Sequence, residues 1–227
     1  SDVCSSDLDA NGVSVVEIYD GATLLGTATV SGSSWSYTTA ALPDGPHSFT
    51  AKIYDAAGNA PFTTGAVTAS VDTTAATGSF STTIGTDTGS AATISSGDLT
   101  KDNTLELSGT ASDVNGVNRV EVYDGSTLLG NATLSGNSWS YSTGSLKDGS
   151  HSFTAKVIDN AGNSTTTSAV TATVDTTAAE GSFSSTIGTD TGSATTISSG
   201  GLTKDNTLEL SGTASDANGV SKVEVYD

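Results

Sequence analysis

The residues of this chain with the most chemistry to offer are its aspartates. They number 19 of the 25 acidic residues and fall almost wholly in turn-like segments: YDG, LKDG, DVNG, DNAGN and VDTT. Five of the six Glu lie instead inside strand-like alternating runs. Taken singly, an Asp in a turn is explained by the hydrogen bonds it makes to its own backbone. As a group they suggest more. If the first strand of each β domain runs away from the preceding domain, up-and-down order places YDG, LKDG and VDTT at the far end. DVNG and DNAGN then fall at the near end. Stacking would bring Asp20, Asp44 and Asp72 towards Asp113 and Asp159, and Asp124, Asp148 and Asp175 towards Asp216. Crowded carboxylates repel unless a cation sits among them, and hard oxygen ligands without His or Cys suit Ca²⁺ rather than zinc. The expected metal ligands are Asp72, Asp113 and Asp159 at one junction and Asp175 and Asp216 at the next, with Asp20 and Asp124 in second rank. Asp87 and Asp190, in the TDTG segments, are further candidates. Backbone carbonyls would complete a coordination number of about six to eight.

Other chemistries find little support. His47 and His151 occupy the same repeat position, one per domain, where each is expected to cap a strand near a corner turn. Neither has the base-and-orienter arrangement that a serine nucleophile needs, so no catalysis is expected. Cys4 is the only cysteine, which removes disulfides and thiolate metal sites. Lys52 and Lys156 flank inward-facing positions and should point to solvent. The Gly-rich SSGG run precedes a strand rather than a helix and does not make a phosphate cradle. A net charge of -18 and a pI near 4.1 argue against nucleic acid and anionic membrane surfaces as partners. No apolar run of about 18 residues is present, so no direct membrane insertion is expected, and the N-terminus lacks a signal-peptide pattern.

The elements that must position the aspartates come in repeats. YDGATLLGTATVSGSSWSY at 19–37 returns as YDGSTLLGNATLSGNSWSY at 123–141, and LTKDNTLELSGTASD at 99–113 returns at 202–216. The period is about 103 residues, the size of a compact β domain rather than of a solenoid coil. Cutting at VDTT gives a partial repeat at 9–72, a complete one at 73–175 and a further partial one at 176–227, which reads as a window on a longer tandem array. Residues 1–8, SDVCSSDL, break the pattern and resemble a translated sequencing adapter, which reads as a non-native segment, with natural divergence of a terminal strand as the alternative.

Within the complete repeat, period-two alternation marks Leu105 and Leu107, Val120 and Val122, Ala132 and Leu134, Trp139 and Tyr141, Phe153 to Val157, and Val170 to Val174. A first strand around Phe80–Ile84 makes seven. Seven short antiparallel strands in about 100 residues, with one Trp in the middle, describe an all-β, immunoglobulin-like sandwich without the usual disulfide. Trp35 and Trp139 are both expected in cores.

LELSGTASD, VEVYDG, TLLGNATLSG, WSY, LKDGSHSFTAKVIDNAGN and VTATVDTTA resemble the bacterial Ig-like repeats of giant surface adhesins exported by type I secretion. That resemblance implies an extracellular, cell-surface location, an extender role and calcium between domains. It also implies partners that are neighbouring repeats of the same chain, with lateral self-association as a further option. Where relatives end VDTTAP this chain has VDTTAA, so a proline-stiffened linker is not expected. The reading is therefore a spacer whose acidic junctions stay loose where calcium is scarce and order outside the cell. Alternatives are a carbohydrate- or host-surface-binding module and a subunit of an extracellular filament or surface layer.

Overall fold

The structure, a computed structural model, describes residues 12–87, 92–189 and 196–227. Segment 1–8, Cys4 and Asp190 lie outside the described residues. All regular structure among the described residues is β, and no helix there is long and apolar enough to cross a membrane. The described residues form the all-β, Ig-like arrangement expected, in two compact units.

The first unit joins the chain up to Thr77 with two loops of the complete repeat, Ser112–Asn118 and Val157–Thr165. Its main sheet runs Thr23–Thr27, Val13–Asp20, Gly45–Asp55, Phe62–Thr63, with Val67–Val71 also paired on Gly45–Asp55. Alternation in VSVVEIYD points Val16 and Ile18 inward against Ala51, and Val13, Leu25, Tyr37 and Ile53 pack around them. Thr29–Ser31 and Ser34–Ser36 form a separate hairpin.

The second unit comprises Gly78–Ala111, Arg119–Lys156 and the chain from Thr166 onward. One of its sheets is built on Leu105–Ser112, flanked by Thr83–Thr86 and Ser138–Ser142 and joined by Thr77–Phe80. The other is built on Gly149–Asp159, of which residues 149–156 belong to this unit, between Val117–Asp124 and Val170–Val174. The inward residues of both are those the alternation marked: Leu105, Leu107, Val120, Val122, Trp139, Phe153, Ala155, Val157, Val170, Ala172 and Val174 are all buried. Ala132, Leu134 and Tyr141 are only half-buried; of the three, Leu134 lies on the edge strand Thr133–Ser135.

Three details depart from the seven-strand expectation. The first strand is broken into Thr77–Phe80, paired with Leu105–Ser112, and Thr83–Thr86. The YDGS turn opens an extra strand, Thr127–Asn131, hairpinned on Val117–Asp124 with a bulge at Val122/Tyr123. The two-residue strand Leu99–Thr100 pairs parallel to Val170–Val174, so the sheets are not purely antiparallel.

Trp139 anchors the complete core. Its Nε1–H donates to the carbonyls of Ser79 and Thr110, both at 3.2 Å, and its ring meets Phe80 edge-on at 4.9 Å. Gly109 makes room for it: a Cβ there would lie 2.0 Å from the Ser79 carbonyl oxygen and 2.7 Å from the indole. Trp35 corrects the expectation, being 42% exposed where Trp139 is 2% exposed.

Candidate metal centre

Three of the expected ligands converge. Asp72 directly follows the strand Val67–Val71, Asp113 follows Leu105–Ser112, and Asp159 ends the 11-residue strand Gly149–Asp159. Each offers a carboxylate oxygen, and these oxygens lie within 4.8 Å of one another. All three residues belong to the first unit. Period-two strands end where Asp, a poor strand former, takes over the turn, so each acid sits at the sheet's rim rather than along its face.

Local hydrogen bonds set each carboxylate. Asp159 is 1% exposed. Its Oδ1 accepts the N–H groups of Gly162 at 2.7 Å and Asn163 at 2.9 Å, and its Oδ2 accepts Asn163 Nδ2 at 3.0 Å. Gly162 holds φ +98°, a left-handed conformation that glycine adopts without strain and that turns these amides inward. Burial, the largest single influence, pushes the Asp159 carboxyl upward, but the Asn163 side chain and the backbone amides of Asn163, Gly162 and Ala161 together hold it below the usual carboxylate value. Asp113 Oδ1 accepts the Asn115 N–H at 2.7 Å. Asp72 Oδ1 accepts the Thr74 N–H at 3.2 Å, while its Oδ2 is buried with no hydrogen-bond partner.

The orphaned oxygen tests whether this set suits a cation. A buried acceptor without a donor costs about 1–3 kcal/mol, more when charged, and two further carboxylates at this range worsen the repulsion. A bound divalent cation would remove both penalties. The donors are hard oxygens alone, and each carboxylate keeps lone pairs beyond those its hydrogen bonds use. Asp72, Asp113 and Asp159 therefore fit Ca²⁺.

The remaining expected ligands are placed differently. Asp175 and Asp216 are linked through one residue: Asn218 Nδ2 donates to Asp175 Oδ2 at 2.9 Å, and Asn218 N–H to Asp216 Oδ1 at 2.8 Å. The repeat counterpart of Asp159 at that place falls beyond residue 227. Asp20 and Asp124 are not brought to the trio. Asp20 Oδ2 meets His47 Nδ1 at 2.6 Å and its Oδ1 accepts the Ser48 N–H at 2.8 Å. Asp124 repeats this with His151 at 2.6 Å and Ser152 at 3.0 Å. Asp44, also expected near the trio, spends both oxygens on Thr73 and Thr74. Asp87 turns to the loop before Leu105: its N–H donates to Asp102 Oδ2 at 2.6 Å and its Oδ1 lies 3.4 Å from Thr104 Oγ1.

Residues 4–73 and 74–176 each match the family described as bacterial Ig-like domain. The chain belongs to that family. Among solved structures, the bacterial Ig-like repeats are similar to the fibronectin(III)-like modules of CbhA from Clostridium thermocellum. Identity there is 18% and the TM-score 0.43, over 73% of this chain and 80% of that one. They are also similar to the Bacteroides ovatus protein SGBP-B of a mixed-linkage glucan utilization locus, solved with a mixed-linkage heptasaccharide. Here identity is 18% and the TM-score 0.25, over 71% of this chain and 39% of that one. No curated protein matches.

Two structural features of the bacterial Ig-like repeats escaped the sequence reading. One is the His–Asp pair. His47 Nδ1 faces Asp20 and Nε2 faces the Pro43 carbonyl at 2.9 Å, and His151 faces Asp124 and the Lys147 carbonyl likewise. With acceptors at both ring nitrogens, the doubly protonated ring fits best. The Asp20 hydrogen bond, then the Pro43 carbonyl, raise His47 above its ordinary value. For His151 burial is the largest influence and opposes the rise, but Asp124 and the Lys147 carbonyl outweigh it. The other feature is Asp102, fully buried, whose Oδ1 accepts the Thr104 N–H at 3.0 Å. The repeated TKDNT motif was the available signal.

Proposed function

We propose that these repeats are extender units of a bacterial cell-surface adhesin exported by type I secretion, stiffened by Ca²⁺ held at Asp72, Asp113 and Asp159. The observation that carries the reading is the meeting of three carboxylates, one with a buried, unpartnered oxygen, drawn from the end of one repeat and two loops of the next. Asp159 brings a carboxylate oriented by three donors, Asp113 one set by its own Asx turn, and Asp72 the oxygen that no donor satisfies. Ca²⁺, when bound, supplies neutralising charge. The chain's part is to hold the linker at Asp72 against the two loops. At 100 times Kd the added stabilisation is about 2.7 kcal/mol, a large share of one domain's total.

Against a carbohydrate-binding role, Trp139 of the complete repeat is buried and its indole N–H is turned inward, so it offers no aromatic platform. Calorimetric titration of the 227-residue chain with CaCl₂, paired with melting in EDTA, tests the proposal. Calcium uptake with a lower melting temperature in EDTA is expected. Absence of uptake together with an unchanged melt overturns it.

A further inference from the structure

Asp44 contributes nothing to the trio, yet both its oxygens are bound to the linker that carries Asp72. Its Oδ1 accepts the Thr73 N–H at 3.0 Å and the Thr73 hydroxyl at 2.8 Å, and its Oδ2 accepts the Thr74 hydroxyl at 2.7 Å. Thr74 in turn donates its N–H to Asp72 Oδ1. From the other side Asn163 Nδ2 donates to the Asp72 carbonyl at 3.0 Å. A partly exposed carboxylate with one unsatisfied oxygen gains by rotating that oxygen to water. Asp72 is held from doing so only if residues 72–74 are themselves fixed.

The next repeat separates cause from consequence. Asp148 Oδ1 accepts the Thr176 N–H at 3.0 Å and its hydroxyl at 2.7 Å, Asp148 Oδ2 accepts the Thr177 hydroxyl at 2.7 Å, and Thr177 N–H donates to Asp175 Oδ1 at 3.1 Å. The same wiring recurs there, so it belongs to the repeat.

We infer that Asp44 is a positioning residue which clasps Thr73 and Thr74 and so presents Asp72 to Asp113 and Asp159, Asp148 doing the same for Asp175. The Thr74 and Thr73 hydroxyls hold the Asp44 carboxyl below the usual carboxylate value, keeping it an anionic acceptor at neutral pH. The consequence for the cation rests on the calcium reading above, but the clasp is a property of the metal-free chain. It supplies the linker with order before any ion arrives, so calcium meets a prepared set of oxygens rather than a loose one.

The test uses the 227-residue chain and two readouts. In EDTA, amide hydrogen exchange by NMR should show Thr73 and Thr74 accelerated about tenfold or more in Asp44→Ala, with the Gly45–Asp55 strand amides unchanged. Asp44→Asn, which keeps one acceptor oxygen, should restore part of the Thr73 protection. With calcium, Asp44→Ala should weaken the tighter binding step about tenfold. Thr74→Val, which deletes a single hydroxyl, should give a smaller change of the same sign and serves if Asp44→Ala does not fold. Unchanged exchange at both threonines overturns the clasp. Lost protection with unaltered calcium affinity overturns the positioning of Asp72. A wild-type chain that takes up no calcium removes the cation reading alone, since exchange in EDTA still decides the clasp.

Discussion

Trp35 and Trp139 sit in the same sequence neighbourhood, SGSSWSY and SGNSWSY, and meet opposite fates. One is buried beneath Phe80 and the Ser79 carbonyl, and the other leaves two-fifths of its surface in solvent. Thr77–Phe80 and Leu105–Ser112 cover Trp139. The same motif alone therefore does not fix burial.

The largest expected effect breaks or confirms that contrast. Trp139→Ala should cost about 3–5 kcal/mol in urea unfolding followed by circular dichroism, and Trp35→Ala under about 1 kcal/mol. Equal costs would mean that Trp35 is covered in solution. Gly109→Ala should follow at about 1–3 kcal/mol, since its Cβ would collide with the Ser79 carbonyl. A neutral outcome would show the two strands sliding apart without loss.

Calcium offers a second test, at the three converging carboxylates. Asp72→Asn should raise the calcium Kd about tenfold to a hundredfold and abolish the EDTA effect on melting. An unchanged Kd would remove Asp72 from the ligands.

The smallest effect concerns pH. His47 and His151 have raised folded values, so their contribution to stability is complete below about pH 6.5 and declines as pH rises through the folded value. Asp159, held low, behaves oppositely: its contribution is present above about pH 3.9 and is lost as pH falls through the folded value. NMR titration of the two imidazoles should find both above the ordinary histidine value. Two unshifted curves would show that neither ring is held by its carboxylate.

Much of this was legible in the sequence. Val120, Val122, Phe153, Val157 and Val174 declare themselves by alternation, because a half-buried sheet repeats every two residues. Asp72, Asp113 and Asp159 were findable because Asp and Glu segregate and up-and-down order fixes which turns share an end. The pairing of Asp20 with His47 and of Asp124 with His151 was not legible, for a physical reason. The partners His47 and His151 lie 27 residues downstream, and the two repeats that carry one carry the other, so comparing them does not separate a ligand from a hydrogen-bond acceptor. Asp102 was not singled out, since the repeated TKDNT motif marks the position without showing that the Asp87 amide folds back onto it. The exposure of Trp35 was hidden because its alternation is intact.

The bonds from Asp148 to Thr176 and Thr177 tie a repeat's LKDG turn to the first residues beyond that repeat. Each module thus carries its own coupling. Duplicating or deleting whole 103-residue blocks during replication would leave every remaining joint furnished, so such an array could grow or shrink across generations without any compensating substitution.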